Sequence, residues 1–311
     1  MASLKNIKLK IVSVKKTATV THAMEAVSAV KMRKSQERAL AGRLYAASAL
    51  SILEKLASTA DFGRHKLMRS QPAPNLYVVV TSDKGLAGSL NSAVIRKAEA
   101  SILGGAGDDV QSRKANAHIV AIGRRGAEYF ANRGYKVVLR KENVSDSVSE
   151  TDILEITQQF LTKHKEGKVS DLYVVYTNFL STFEQEAVCR RVVPILPESI
   201  AEMVKNIRPV KGKYAPSAED QVEKKPASYT VEPDADAIVE FLLPKLVNVA
   251  LFHAVLENKA SEHSARMVAM KSATDNAKEK AKQYTRTFNK VRQAAITREI
   301  SEITSGIEAM R

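Results

Sequence analysis

The 311 residues suffice for one large domain or two smaller ones, and 44% apolar residues is ordinary for a globular chain. Aromatic residues make up only 5% and Trp is absent, a balance that suits long, closely approaching helices better than a compact enzyme core. The net charge of +14 admits a nucleic acid, a membrane surface or an acidic protein as partner, while the single Cys189 excludes an intramolecular disulfide framework and fits a reducing compartment.

From Leu4 the apolar residues fall at Leu4, Ile7, Ile11, Val14 and Ala18, steps of three and four that give a helix one narrow seam. The spacing resumes in a shifted phase at Val20, Met24, Val27 and Val30, then at Leu40, Leu44, Ala47, Leu50, Leu53 and Leu56. With no Pro and only Gly42 inside it, a single helix over 1–58 is predicted, roughly 80 Å long. Met1 to Ala57 holds eleven Lys and Arg against three Glu, so more than half of the positive excess lies there. The opening MASLKNIKLKIVSVKK is basic and free of acids like a transit peptide, but it lacks Arg and its apolar spacing runs on unbroken, so it reads as helix.

Between residues 75 and 198 the grammar changes. LYVVVTS (Leu76 to Ser82) and HIVAIG (His118 to Gly123) are short buried-strand patterns followed by helical ones, and YKVVL, DLYVVY and AVCRRVVPIL add further strands. Such alternation predicts a Rossmann-like α/β domain with a largely parallel sheet. The loop TSDKGLAGSLN sits where α/β folds bind phosphate, but it has neither a dinucleotide glycine spacing nor a P-loop, which favours a structural turn packing the domain on the helices. GGAGDD at Gly104 reads as another turn. Ser199 to Pro226, rich in Pro, Lys and Glu and without periodicity, reads as a loop or partly ordered insertion within 199–230.

The last segment, 234–311, is again helical, about 110 Å if continuous, with Pro244 either kinking it or marking its beginning. Ala277, Ala281, Tyr284, Phe288, Val291 and Ala295 form a seam, continued one residue out of register by Ile296, Ile300, Ile303, Ile307 and Met310. Two terminal helices with seams too narrow for a globular face predict a long antiparallel coiled coil, with the α/β domain at one end of it. Such a rod is a mechanical object.

No catalytic constellation emerges. The six His are scattered without metal-ligand spacing, and nothing resembles a nucleophile elbow, so neither cofactor nor metal is expected. Glu262 and Arg266, four apart on the last helix, read by default as a solvated ion pair. Arg292, Gln293 and Thr297 share one side of that helix and offer directional donors; pattern alone leaves a partner surface and a solvated face equally open.

THAMEAVSAVKMRK, SDKGLAGSLN, ENKASEHSARMVAMKSATDNA and VRQAAITREISEITSG, in this order over nearly the whole chain, resemble the gamma subunit of rotary F-type ATP synthases, in wording closer to the bacterial form. That resemblance implies a non-catalytic central shaft inside a ring of three alpha and three beta subunits. Its α/β domain would rest on the membrane c ring beside the epsilon subunit, on the cytoplasmic face of a bacterial inner membrane, and the shaft itself would bind no nucleotide. It also implies beta-subunit contacts for Met24, Glu262, Arg266, Arg292, Gln293 and Thr297, and a c-ring-facing role for Tyr229, whose neighbours Ala227, Ser228 and Val231 differ from the usual aromatic and acidic ones. The alternative of another class is a basic coiled-coil protein that binds nucleic acid or organises chromosomes; a nucleotide-dependent enzyme with helical arms is a third.

Overall fold

The computed structural model describes residues 4–56, 65–104, 109–195 and 235–310. In chain order these form α1 (Leu4–Leu56), a 3-10 turn (Lys66–Met68), β1 (Asn75–Val80), α2 (Leu90–Leu103), α3 (Val110–Ala115), β2 (Ala117–Ile122), α4 (Arg124–Asn132), β3 (Lys136–Lys141), α5 (Glu150–Lys165), β4 (Leu172–Phe179), β5 (Gln185–Val193) and α6 (Ala235–Ala309). The insertion Ser199 to Pro226, Tyr229 and the GGAGDD turn beyond Gly104 lie outside the described residues, apart from Asp109. Two compact units result, Met1–Ser28 with Arg266–Arg311, and Ala29–Ala265.

The first unit is an antiparallel helix pair. Thr21 Oγ1 lies 2.6 Å from Thr274 Oγ1, and the Lys10 ammonium sits 6.0 Å from the Tyr284 ring, so the helices run in opposite directions. On α1 the seam comprises buried Ile7 and half-buried Leu4, Ile11, Val14, Ala18 and Thr21; on α6 it comprises Met270, Thr274, Ala277 and Ala281, then half-buried Tyr284, Phe288, Val291 and Ala295. Pairing of these apolar stripes is what stabilises helices this long.

One expectation about α1 is overturned. Val20, Val27 and Val30 are 58%, 54% and 58% exposed, whereas Ser28 and Ser35 are buried and Thr21 half-buried. The steps of three and four therefore continue without a phase shift, through Thr21, Ser28 and Ser35 at seven-residue spacing. The Thr21 and Ser28 hydroxyls can enter a seam because each finds a local acceptor: Ser28 Oγ donates to Met24 O at 2.7 Å and Thr21 Oγ1 to Thr17 O at 3.0 Å. Small side chains also let helices approach where Val would hold them apart.

The shifted register at the end of α6 leaves the predicted stripe bare. Ile296, Ile300, Ile303, Ile307 and Met310 are exposed, because the register of the two cross-helix contacts puts Leu4, where α1 begins, opposite roughly Val291. Beyond Ala295 no described residue of α1 lies opposite the stripe.

The second unit is built on a five-stranded sheet of order β3-β2-β1-β4-β5, with β5 alone antiparallel to its neighbour. The strands read as continuous apolar runs because both faces are covered. Tyr77, Val79, Ile119 and Ala121 face one core with Val94, Ala98 and Ile102 of α2 and Ala127 and Phe130 of α4. Leu76, Val78, Val80, Val120 and Ile122 face the other, with Ile153, Ile156 and Phe160 of α5 and Leu243, Val247, Leu251 and Val255 of α6. Each Val, Leu, Ile or Phe among them, fully buried, is worth about 2 kcal/mol against exposure. Pro244 lies inside α6, nine residues after its first described residue, and so does not begin the helix.

At the carboxyl end of β2 the chain turns tightly against β1. Gly123 has φ of +92°, and a Cβ there would lie 2.1 Å from the Thr81 carbonyl oxygen, a backbone atom that cannot swing away. We expect Gly123→Ala to destabilise this unit by about 3 kcal/mol or more, measured as a fall in the midpoint of urea unfolding; a shift within experimental error would refute the close approach.

Candidate functional site

The loop after β1 folds around its own polar groups. Ser82 N and Oγ donate to Asn91 Oδ1 at 2.9 and 3.1 Å, and Asn91 Nδ2 donates to Ser82 Oγ at 2.7 Å, which ties the loop to the first turn of α2. Asp83 Oδ1 accepts from the backbone N–H of Arg124, first residue of α4, and from that of Asn143, both at 3.0 Å. A carboxylate of the chain therefore occupies a helix N-terminus, where a phosphate would otherwise be favoured. The loop is a structural turn, and its apex, Leu86, is 62% exposed with φ of +63°.

The second polar concentration lies on α6. Between His253 and Ser264 the helix is buried on all sides, yet it carries His253, Glu257, Asn258, Lys259, Ser261, Glu262, His263 and Ser264. Asn258 Oδ1 accepts from Thr177 N at 3.2 Å, Ser261 Oγ donates to Thr177 O at 3.1 Å, and Ser264 Oγ donates to Thr182 O at 2.6 Å. His253 Nδ1 lies 3.6 Å from Glu257 Oε1. Burial pushes the nearby Tyr176 hydroxyl well above its ordinary value, and Glu257 adds to the shift.

The loop joining β3 to α5 supplies an ionic hub. Asp146 Oδ2 accepts from Lys31 Nζ at 2.7 Å, Oδ1 accepts from His263 Nε2 at 2.9 Å and lies 3.9 Å from Lys259 Nζ, and Arg38 donates to the Asp146 carbonyl at 2.7 Å. Lys259 Nζ also donates to Val144 O at 2.8 Å. The hydrogen bond from His263, followed by that from Lys31, holds the Asp146 carboxyl well below the usual carboxylate range.

The six positions singled out on the helices do not form one cluster. Arg292, Gln293 and Thr297 are exposed within about 140° of the α6 surface, with the Thr297 hydroxyl donating to Gln293 O at 3.0 Å. Arg298 pairs with Glu302 at 2.8 Å, whereas Arg292 has no carboxylate partner among the described residues. Met24 is half-buried on α1. Glu262 and Arg266 are only 5% and 9% exposed, each within its own unit, so the expected solvated pair is corrected: the chain itself covers both. Sequence reasoning missed Asp146, Asn258, Ser261 and Ser264; the available signal was a run of polar residues on a helix that also carries apolar residues on every side.

Among the described residues no group of three or more His, Cys, Asp or Glu could hold a metal, and no helix is long and apolar enough to cross a membrane. Fold and surfaces together define a class: proteins whose terminal helices pair with each other and whose intervening residues form a largely parallel α/β domain. A family model described as ATP synthase matches residues 3–310. The ATP synthase gamma chain of Roseiflexus castenholzii is 39% identical over all of this chain and 99% of its own length, and that of Heliobacterium modesticaldum is 35% identical with both chains fully covered. Among solved structures, a chain of the Euglena gracilis mitochondrial ATP synthase, determined as OSCP/F1/c-ring in one rotational state, matches with TM-score 0.62 at 17% identity, covering 99% of this chain and 94% of its own. The protein belongs to the ATP synthase gamma chain family.

Two measurements test these polar sites. Replacing Thr274 by Val should cost about 1 kcal/mol and replacing Thr21 as well should add less than the single Thr21→Val change does, a coupling read by thermal unfolding of all four forms; strict additivity would exclude a direct bond. Because the Asp146 carboxyl is depressed in the folded state, its contribution is present above the ordinary carboxylate value and fades as pH falls below about 4 toward the folded one. The stability difference between wild type and Asp146→Asn should accordingly be largest near neutrality and shrink in acid; a difference independent of pH would show that the hub ion pairs are not formed.

Proposed function

We propose that this chain is the central rotor shaft of an F-type ATP synthase, coupling ion-driven rotation of a membrane c ring to conformational cycling of catalytic beta subunits. The observation that carries this reading is family membership along the entire chain, joined to two terminal helices of 53 and 75 residues that pair antiparallel. The shaft is non-catalytic, and synthesis and hydrolysis of ATP belong to the assembled complex. Its partners are three alpha and three beta subunits, an epsilon subunit and the c ring, with no nucleic acid and no bound nucleotide of its own. The chain is peripheral to the membrane, on the cytoplasmic face in a bacterium. Nothing in the family relationship supports the nucleic-acid-binding alternative.

Mechanism follows from asymmetry. A shaft that presents different side chains to each of three surrounding beta subunits gives their sites different affinities at any instant, and turning it exchanges those affinities. Exposed Arg292, Gln293 and Thr297, with half-buried Met24, supply directional donors and an apolar contact for acidic beta-subunit loops. Solvated, screened charges can grip such loops and release them again within about 10 Å. Glu262 and Arg266, which the chain itself covers, rest on the family resemblance alone as beta-subunit contacts. The bare stripe Ile296, Ile300, Ile303, Ile307 and Met310 suits enclosure by the ring, since an apolar face of this length on a free tip exposes surface that a sleeve of protein would cover. Tyr229, outside the described residues, faces the c ring.

In a complex reconstituted with alpha and beta subunits, Arg292→Ala together with Gln293→Ala should lower ATP turnover roughly threefold while the α/β domain stays folded. Turnover equal to wild type would remove these two residues from the contact set. Failure of the unaltered chain to co-purify with alpha and beta subunits would sink the rotor reading itself.

A further inference from the structure

A helix that packs by apolar contact alone can turn about its own axis at modest cost, because hydrophobic contact has no direction. α6 is held differently between Asn258 and Ser264. Strand β4 runs past the end of its parallel partner: the β1 pairing stops at Val79 opposite Val175, while β4 continues to Phe179 beside β5. On the side that β1 has vacated, the peptide N–H and C=O of Thr177 lie buried and need partners. α6 provides both, Asn258 Oδ1 to the N–H and Ser261 Oγ to the C=O, and Ser264 Oγ extends the row to the Thr182 carbonyl in the β4–β5 turn. A helix thus completes the edge of a sheet with side chains in place of a strand.

The same stretch is gripped from its other side. Lys259 Nζ reaches the Val144 carbonyl, and His263 Nε2 reaches Asp146, both in the loop between β3 and α5. At about 100° per residue, Asn258, Ser261 and Ser264 are centred roughly 180° around the helix from Lys259 and His263. Rotation of α6 in either sense breaks both rows at once.

We propose that Asn258, Ser261 and Ser264 on one side, and Lys259 and His263 on the other, are positioning residues that key α6 into the α/β domain so that helix and domain turn as one body. The proposal rests on the rotor reading and deepens it. Torque taken up by the α/β domain reaches α6 through these directional bonds, whereas the apolar core around Leu251 and Val255 resists separation but not twisting. The helix carries the torque onward along its own backbone, since α6 is continuous to Ala309.

The test uses the full complex in inside-out membrane vesicles, with ATP hydrolysis and ATP-driven proton uptake measured on the same sample. In Ser261→Ala/Ser264→Ala/Asp146→Asn we expect an assembled complex that still hydrolyses ATP but takes up roughly twofold fewer protons, or fewer still, per ATP than wild type. A side chain that served only to fold the domain would lower assembly and both rates together and leave their ratio alone. An unchanged ratio in the triple variant overturns the proposal. Should that variant fail to assemble, Asp146→Asn alone, whose carboxylate is partly solvent-exposed, must show a reduced ratio, and a wild-type ratio there overturns the proposal equally. Absence of ATP-driven uptake in vesicles carrying the unaltered chain would instead count against the rotor reading.

Discussion

A single helix, α6, must live in three environments in succession, and the constraint this places on its side chains governs most of the structure. From Leu246 to Ser264 it is enclosed by its own unit; from Met270 to Ala295 it buries one narrow stripe; beyond Ala295 it buries nothing. Burying polar groups requires partners, so Asn248, Asn258, Lys259, Ser261, His263 and Ser264 each draw a specific one from the α/β domain, while His253 and Glu257 face each other along the helix. A one-stripe helix depends instead on a partner helix with matching periodicity, and α1 supplies it for as long as α1 lasts.

The partner requirement explains the composition of α1. Up to Arg38 its exposed faces carry nine Lys and Arg, while its seam alternates aliphatic residues with Thr21, Ser28 and Ser35. Polar seam residues weaken a coiled coil per contact but fix its register, since a slip of one heptad separates Thr21 from Thr274. A shaft needs register more than it needs stability. The α/β domain meets the opposite demand, with two apolar cores flanking a sheet whose central strands are almost entirely inaccessible to water.

Much of this was legible in the sequence. The five strands announced themselves because a sheet covered on both faces needs unbroken apolar runs such as LYVVV, and the length of both helices followed from the absence of breakers. The phase of α1 was not legible past Ala18: Val20, Val27 and Val30 look like seam residues and Thr21, Ser28 and Ser35 look like surface, and only the identity of the facing residue decides between them. Pro244 was ambiguous for a similar reason, since a Pro tolerated in a helix and a Pro that begins one read alike. The Asp146 hub was invisible because it joins Lys31, Asp146 and His263, more than a hundred residues apart in sequence, and Glu262 and Arg266 looked solvated because charge alone does not reveal enclosure. Arg292, Gln293 and Thr297 share their side of the helix with Ile296 and Ile300, so pattern alone left a partner surface and a solvated face equally open, and only the structure shows all of them exposed.

The carboxylate of Asp83 has a consequence for how the chain behaves among its neighbours. The α/β fold retains the layout in which many relatives of the architecture receive nucleotides, a strand leading into a turn beside a helix N-terminus. Here that position is filled from within the same chain, by a group tethered three residues beyond the end of β1 and therefore present at a high effective concentration. The anion this helix N-terminus would attract is one the chain already carries.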